Sequence, residues 1–314
     1  TIEYSKNGGE WTEITATPMD PQEMTGGTNI DVVSGDIVQF RGDNDTYADA
    51  NNFSMFGIFA ASTCGFNLEG NIMSLIDSTN FGSITAMTAN NDGAFAFMFR
   101  ACTGLTFAEN LVLPATTLAS NCYNSMFSEC TSLTTAPELP ATTLAEDCYY
   151  EMFSNCTSLT IAPVLPATTL SSDCYNGMFA DCSSLTTAPA LRATTLANSC
   201  YSGMFYNCSS LTTAPELPAT TLANSCYSSM FAYCSSLTTA PELPATTLAE
   251  GCYWGMFIFC DSLTSVTVYA IVNNNTLKTC AIDFIDNNLS GTLSTVENSG
   301  WVKSVPQGDF EPIQ

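Results

Sequence analysis

Fifteen cysteines and no histidine decide what chemistry this 314-residue chain can do. Without histidine there is no Ser-His or Cys-His pair, and the commonest general base is missing. Thirty carboxylates could in principle supply a glycosidase-like acid–base pair, but no two stand out by their spacing. No Cys-x-x-Cys occurs, so structural zinc lacks its usual ligand spacing. Arg41-Gly42-Asp43 has the form of an integrin-binding tripeptide, but it follows strand-like residues and reads as a strand ending in a glycine turn. Asp43, Asp45 and Asp49 match part of a calcium loop without the Gly and terminal Glu of an EF-hand. The expectation is a non-catalytic chain with no cofactor and no metal.

The cysteines instead carry a period. One series runs 122, 148, 174, 200, 226, 252 and a second runs 130, 156, 182, 208, 234, 260, each in steps of 26 residues. Within a unit the two cysteines are eight residues apart, about 12 Å along a helix and too far for a disulfide. Equivalent cysteines of adjacent units come within about 5 Å if the units stack as strands do. Their Cβ vectors would then run parallel, which favours a row of packed, reduced thiols over a stapled framework. On that reading, a hydroxyl at Cys182 is expected to cost about 1–3 kcal/mol.

The full unit reads Cys-Tyr-x-x-Met-Phe-x-x-Cys-x-Ser-Leu-Thr, followed by a proline-containing stretch that ends in Ala-Thr-Thr-Leu. An imperfect copy, with Ala94, Phe95, Met98, Phe99, Cys102 and Leu105, begins 28 residues before Cys122. Over 145–156, Cys148, Met152, Phe153 and Cys156 fall at i, i+4, i+5 and i+8, which predicts one face of a short helix. Leu159 to Leu165 reads as extended. Pro137, Pro163, Pro189, Pro215 and Pro241 recur at one register and limit the strands to about 3–4 residues. A second proline, at 140, 166, 218 and 244, is Arg192 in one unit. A unit this short cannot cover its own apolar stripe, so the expected fold is an α/β solenoid of stacked units with short parallel strands and short helices.

The Phe-x-x-Cys-x-Ser-Leu pattern, Phe127 to Leu133 and its copies, resembles the BspA-like leucine-rich-repeat family of bacterial surface proteins. Gly70 to Leu75 and Leu113 to Leu118 resemble members of that family too. The resemblance covers roughly residues 94–265 and implies adhesion or protein binding at the cell surface. Two features depart from the family: the unit is long for it, and Ala136 and its copies stand where a larger aliphatic is usual.

Outside the repeat, residues 1–65 read as a small β-rich domain. A hairpin is expected over Ile2–Tyr4 and Trp11–Ile14, and a second pair over Ile30–Val33 and Ile37–Phe40. Residues 66–93 read as an N-terminal cap, 94–262 as the solenoid and 263–314 as the C-terminal cap. The chain opens at Thr1 on strand-like residues, read as a processed or trimmed start. No apolar run approaches the ~20 residues of a membrane span. Six Lys+Arg against 30 Asp+Glu give a net charge of -24, which disfavours nucleic acid and anionic membranes.

Positions that never vary, such as Tyr123 and its copies, read as core. Those that vary are better contact candidates: Glu138, Glu216 and Glu242 after the first proline, and Tyr150, Tyr206, Tyr233 and Trp254 on the expected helices. The expected function is a secreted or cell-surface adhesion or protein-interaction scaffold for a host or neighbouring-cell protein. The alternative is a carbohydrate-binding module that stacks sugars on Trp11 and Tyr4.

Overall fold

The computed structural model describes residues 2–14, 30–45 and 65–270, and the backbone of strands 292–296 and 310–313. β1 (Ile2–Lys6), β2 (Thr12–Ile14) and β3 (Val38–Gly42) form an antiparallel sheet in the order β2-β1-β3. The hairpin of β1 and β2 is as expected. The second expected pair is not: residues 30–33 form no strand, and β3 pairs with β1 instead. The reason is the Asp36 carboxylate. It accepts from Val33 N and Asn7 Nδ2 and pairs with Lys6 Nζ at 2.8 Å, tying the 33–36 turn to the end of β1.

From β4 (Phe66–Asn71) and β5 (Leu105–Val112), which pair in parallel, the chain climbs in stacked 26-residue rungs. Proline shortens the strands further than expected. In most rungs the extended segments meet only through single parallel bridges, such as Thr117 with Thr143, Thr143 with Thr169 and Thr213 with Thr239. Threonine hydroxyls extend these contacts, with Thr134, Thr186 and Thr238 Oγ1 donating to the Thr106, Thr160 and Thr212 carbonyls. The stack continues through β6 (Glu242–Leu243), β7 (Ser265–Val268), β8 (Thr292–Val296) and β9 (Phe310–Ile313), all parallel.

The expected short helices are absent. The only helices among the described residues are short 3-10 segments at Ile72–Leu75, Phe81–Ser83 and Ala89–Asn91. Each Cys-Tyr-x-x-Met-Phe-x-x-Cys segment is instead a ribbon of consecutive turns. In the first, Asn124, Met126, Ser128 and Cys130 donate their N–H three residues back. The N–H groups between them, of Tyr123, Ser125, Phe127 and Glu129, donate to Cys148, Tyr150, Met152 and Ser154 carbonyls of the next rung at 2.7–3.0 Å. Every fourth residue has a left-handed φ: Asn121 at 57°, Ser125 at 51° and Glu129 at 64°, and so on through 147/151/155 to 251/255/259.

Two packing arguments select the ribbon over the helix. Helices pack about 8–10 Å apart, whereas strands sit about 4.8 Å apart. Side chains repeated every rung therefore demand a backbone that stacks at near-strand spacing. The ribbon does this by offering every second N–H to its neighbour. The burial pattern agrees, since two residues point in and two point out with a period of four. In the ribbon from Cys148, the residues Cys148, Tyr149, Met152, Phe153 and Cys156 are all 0–1% exposed, while Tyr150, Glu151, Ser154 and Asn155 between them are half-buried.

The interior is a set of ladders. Tyr123, Tyr149, Tyr175, Tyr201, Tyr227 and Tyr253 stack at 5.7–6.1 Å between ring centroids. Phe127 to Phe257 stack beside them at 5.5–5.8 Å. The Tyr123 and Tyr175 hydroxyls are buried without a hydrogen-bond partner.

Thirteen cysteines are buried as thiols outside any disulfide, while Cys64 and Cys280 lie outside the described residues. Those of the second series are not merely apolar filler. Cys130, Cys156, Cys182, Cys208, Cys234 and Cys260 each donate S–H to a phenylalanine carbonyl of the preceding rung, 31 residues earlier for Cys130 and 29 for the others, at 3.0–3.1 Å. A serine at Cys182 would inherit the Phe153 carbonyl as its acceptor, so the cost expected for an unpartnered hydroxyl does not apply there.

Candidate binding face

The described thiols are shut away. Burial pushes the Cys102, Cys182, Cys226 and Cys260 thiols up to about 12, so they stay protonated at neutral pH. Among the described residues no three Cys, Asp or Glu side chains are placed to hold a metal ion, and no helix is long and apolar enough to cross a membrane. In the tripeptide at the end of β3, Arg41 pairs with Glu3 at 2.7 Å and lies 4.1 Å over the Trp11 ring. Asp43 accepts from Ser78 N at 2.8 Å, which lowers its carboxyl pKa. The tripeptide thus knits the N-terminal sheet to the first rungs. Asp49 of the partial calcium pattern lies outside the described residues. Trp11 keeps 37% of its surface, but Arg41 covers one face of the ring.

The outward side chains of the turn ribbons form one continuous face. Tyr206, Tyr233 and Phe259, from three successive rungs, form a cluster on it. The Tyr206 and Tyr233 rings lie 5.2 Å apart and tilted by 57°, and Tyr233 and Phe259 lie 4.6 Å apart at 36°. Tyr233 is 41% exposed, Phe259 39% and Trp254, on the same ribbon as Phe259, 54%. Tyr233 and Phe259 also hold φ of 63° and 57°. An aromatic residue gains nothing from that backbone; its equivalents Asn155, Asp181 and Asn207 tolerate it far better. Exposed rings in strained positions serve no packing need of the fold.

Polar groups adjoin the rings. Asn207 Nδ2 donates to Asp181 Oδ1 at 2.8 Å. Asp181, Asn207, Tyr233 and Phe259 occupy one position in four successive rungs, giving a carboxylate, an amide and two rings in line. Burial raises the Tyr206 hydroxyl pKa, with Tyr233 and Asp181 adding to the shift.

The remaining candidates lie elsewhere. Tyr150 is half-buried two rungs before Tyr206; burial and the neighbouring Glu151 push its hydroxyl up to about 12. Near it, burial and the charges of Asp173 and Glu146 raise the Asp147 carboxyl to about 6. Glu138, Glu216 and Glu242 are exposed in the proline stretch, and Glu216 shares a shallow depression with Arg192, Pro189 and Pro215.

The structure therefore brings Tyr206 and Tyr233 together, leaves Tyr150 and the three glutamates apart from them, and adds Phe259, which sequence reasoning missed. Its signal was present: Phe259 stands in a column of Asn, Asp and Glu. No protein-family model, curated protein or solved structure matches the chain.

Proposed function

We propose that this protein is a secreted or cell-surface scaffold of the leucine-rich-repeat solenoid type, akin to the BspA-like family, that binds a protein of a host or neighbouring cell and catalyses nothing. The observation that carries this reading is the Tyr206–Tyr233–Phe259 cluster. Aromatic residues are frequent anchors at protein interfaces; Tyr233 and Phe259 are exposed and Tyr206 is partly so, although the repeat offers polar residues for the same positions. A stacked array also presents a long rigid surface, which lowers the ordering cost of binding. The second reading, a carbohydrate-binding module, rests on Trp11 and is weakened by the guanidinium over its ring.

The test is a screen of the full chain and of a Tyr206→Ala, Tyr233→Asn, Phe259→Asn variant against extracellular matrix proteins and glycans. The expected result is a protein ligand lost in the variant. Binding of glycans alone, unchanged in that variant and lost in Trp11→Ala, would replace the first reading with the second.

A further inference from the structure

The ribbon face divides by chemistry. Its earlier rungs carry Glu129, Asp147, Glu151, Asp173 and Asp181; its later rungs carry Tyr206, Tyr233, Trp254 and Phe259 and no carboxylate within the ribbons. Residues 94–270 hold twelve carboxylates against two guanidinium groups, Arg100 and Arg192. Of these two, only Arg100 lies on a ribbon, and there it is received by a carboxylate and a ring. Its Nε and Nη2 donate to Glu129 Oε1 at 3.1 and 2.6 Å, and its guanidinium lies 6.0 Å from the centre of the Phe97 ring. Phe97, like Tyr233 and Phe259, has a left-handed φ, here 58°.

The Asp181 end of the aromatic cluster offers the same pair of groups, and no Lys or Arg among the described residues pairs with Asp181. Asp181 is bonded through its backbone N–H to the Tyr206 carbonyl at 2.7 Å, so carboxylate and ring belong to adjoining rungs. Tyr233 lies two rungs from Asp181 in its own column, about 10 Å away at strand spacing. An arginine or lysine laid along this line meets ring faces at one end and a carboxylate at the other. A ring face attracts a cation through its quadrupole, and a carboxylate bonds it directly. Anionic partners are repelled by the whole chain, whereas a basic one is drawn in.

Resting on the protein-binding reading above, we propose that the strip Asp181, Tyr206, Asn207, Tyr233 and Phe259 is a docking surface for a basic polypeptide segment, whose arginine or lysine side chains lie across the rings against Asp181. Arg100 on Glu129 and Phe97 is the intramolecular version of the same contact.

The test is binding of the full chain to a labelled peptide of alternating arginine and serine, followed by fluorescence polarisation at physiological salt. The same peptide with glutamine for arginine is run beside it. The variants take residues that the same columns carry in other rungs, which keeps the backbone. Tyr206→Ala with Tyr233→Asn and Phe259→Asn leaves the net charge unchanged and is expected to weaken binding of the arginine peptide by about tenfold, at roughly two- to threefold per ring. Asp181→Asn is expected to weaken it several-fold. Glu138→Val with Glu242→Ala removes two charges from the proline stretch and is expected to change it by less than about twofold.

Parental affinity in the aromatic variant, with loss in the glutamate variant, would overturn the proposal, since binding would then follow bulk charge alone. Equal binding of the glutamine peptide, abolished in the aromatic variant, would also overturn the basic partner while leaving the protein-binding reading intact. Failure of the chain to bind any protein in the earlier screen sinks that reading independently.

Discussion

Gly203→Ala distinguishes a turn ribbon from a helix by the sign of its effect. Gly203 lies mid-segment with φ of 58°, and the nearest atom to an added Cβ would be Tyr206 Cβ at 4.0 Å. The methyl group meets no obstacle, so the effect comes from the backbone alone. An L-residue in the left-handed region loses about 1–2 kcal/mol. Part of this is offset by about 0.4–1 kcal/mol, because alanine restricts the unfolded chain. The net expectation is a destabilisation of about 1 kcal/mol. In a helix the same change would stabilise by about 1 kcal/mol, so the two backbones differ by about 2 kcal/mol. Ala101, with φ of 59°, supplies the mirror test, since Ala101→Gly should stabilise the ribbon. Gly177 is a poorer probe, because its added Cβ would lie 2.9 Å from Glu151 Cγ. Urea unfolding followed by intrinsic fluorescence reads both variants as shifts in midpoint at constant slope. A Gly203→Ala protein more stable than its parent would refute the ribbon.

Other expectations follow from single contacts. Tyr175→Phe removes a buried hydroxyl that has no partner, and should raise stability by up to about 1 kcal/mol in the same urea assay; a clear loss would show that the hydroxyl is satisfied. Cys182→Ser retains the Phe153 carbonyl as an acceptor, so it should cost less than the about 1–3 kcal/mol of a buried hydroxyl without a partner; a loss of that size would contradict the S–H bond. Asp147 titrates higher in the folded chain than in the unfolded one, so the folded state gains stability as pH falls from about 6 towards 4 and loses it again as pH rises through 6. The residue is partly exposed, so solvent screening keeps that gain to about 1 kcal/mol, and Asp147→Ser should abolish it in urea titrations at pH 5 and 7.

The repeat, its 26-residue step and the inward columns of Cys, Tyr, Met, Phe and Leu could all be read from the sequence, because every rung repeats them. The path of the backbone between them could not be read from the inward residues. Apolar positions at i, i+4, i+5 and i+8 suit a helix and a four-residue turn repeat equally over so short a span. The outward residues hold the distinction. Asn121, Asp147, Asp173 and Ser199, with Gly177, Gly203 and Gly255, fill alternate left-handed columns, and a helix interior would disfavour most of them.

The binding face was legible only in part for a related reason. Tyr206 and Tyr233 were singled out because their columns vary. That they touch depends on a 27-residue separation crossing adjacent rungs, which a helical reading does not supply. Phe259 was hidden because its neighbours Ile258 and Phe257 make it look like core, although Phe257 alone is buried. The role of Arg41 was out of reach, because its partners Glu3 and Trp11 are brought to it by the β1 pairing.

The proposed binding face depends on rungs that stack with their thiols packed inside. The most direct test counts reactive thiols in the native protein and again in denaturant, without reductant in either. The thirteen cysteines of the stack should be silent in the native protein and all free once it unfolds. Thiols that are oxidised in denaturant would replace packed rungs with a cross-linked framework, and thiols that react at full rate in the native protein would place them outside any core.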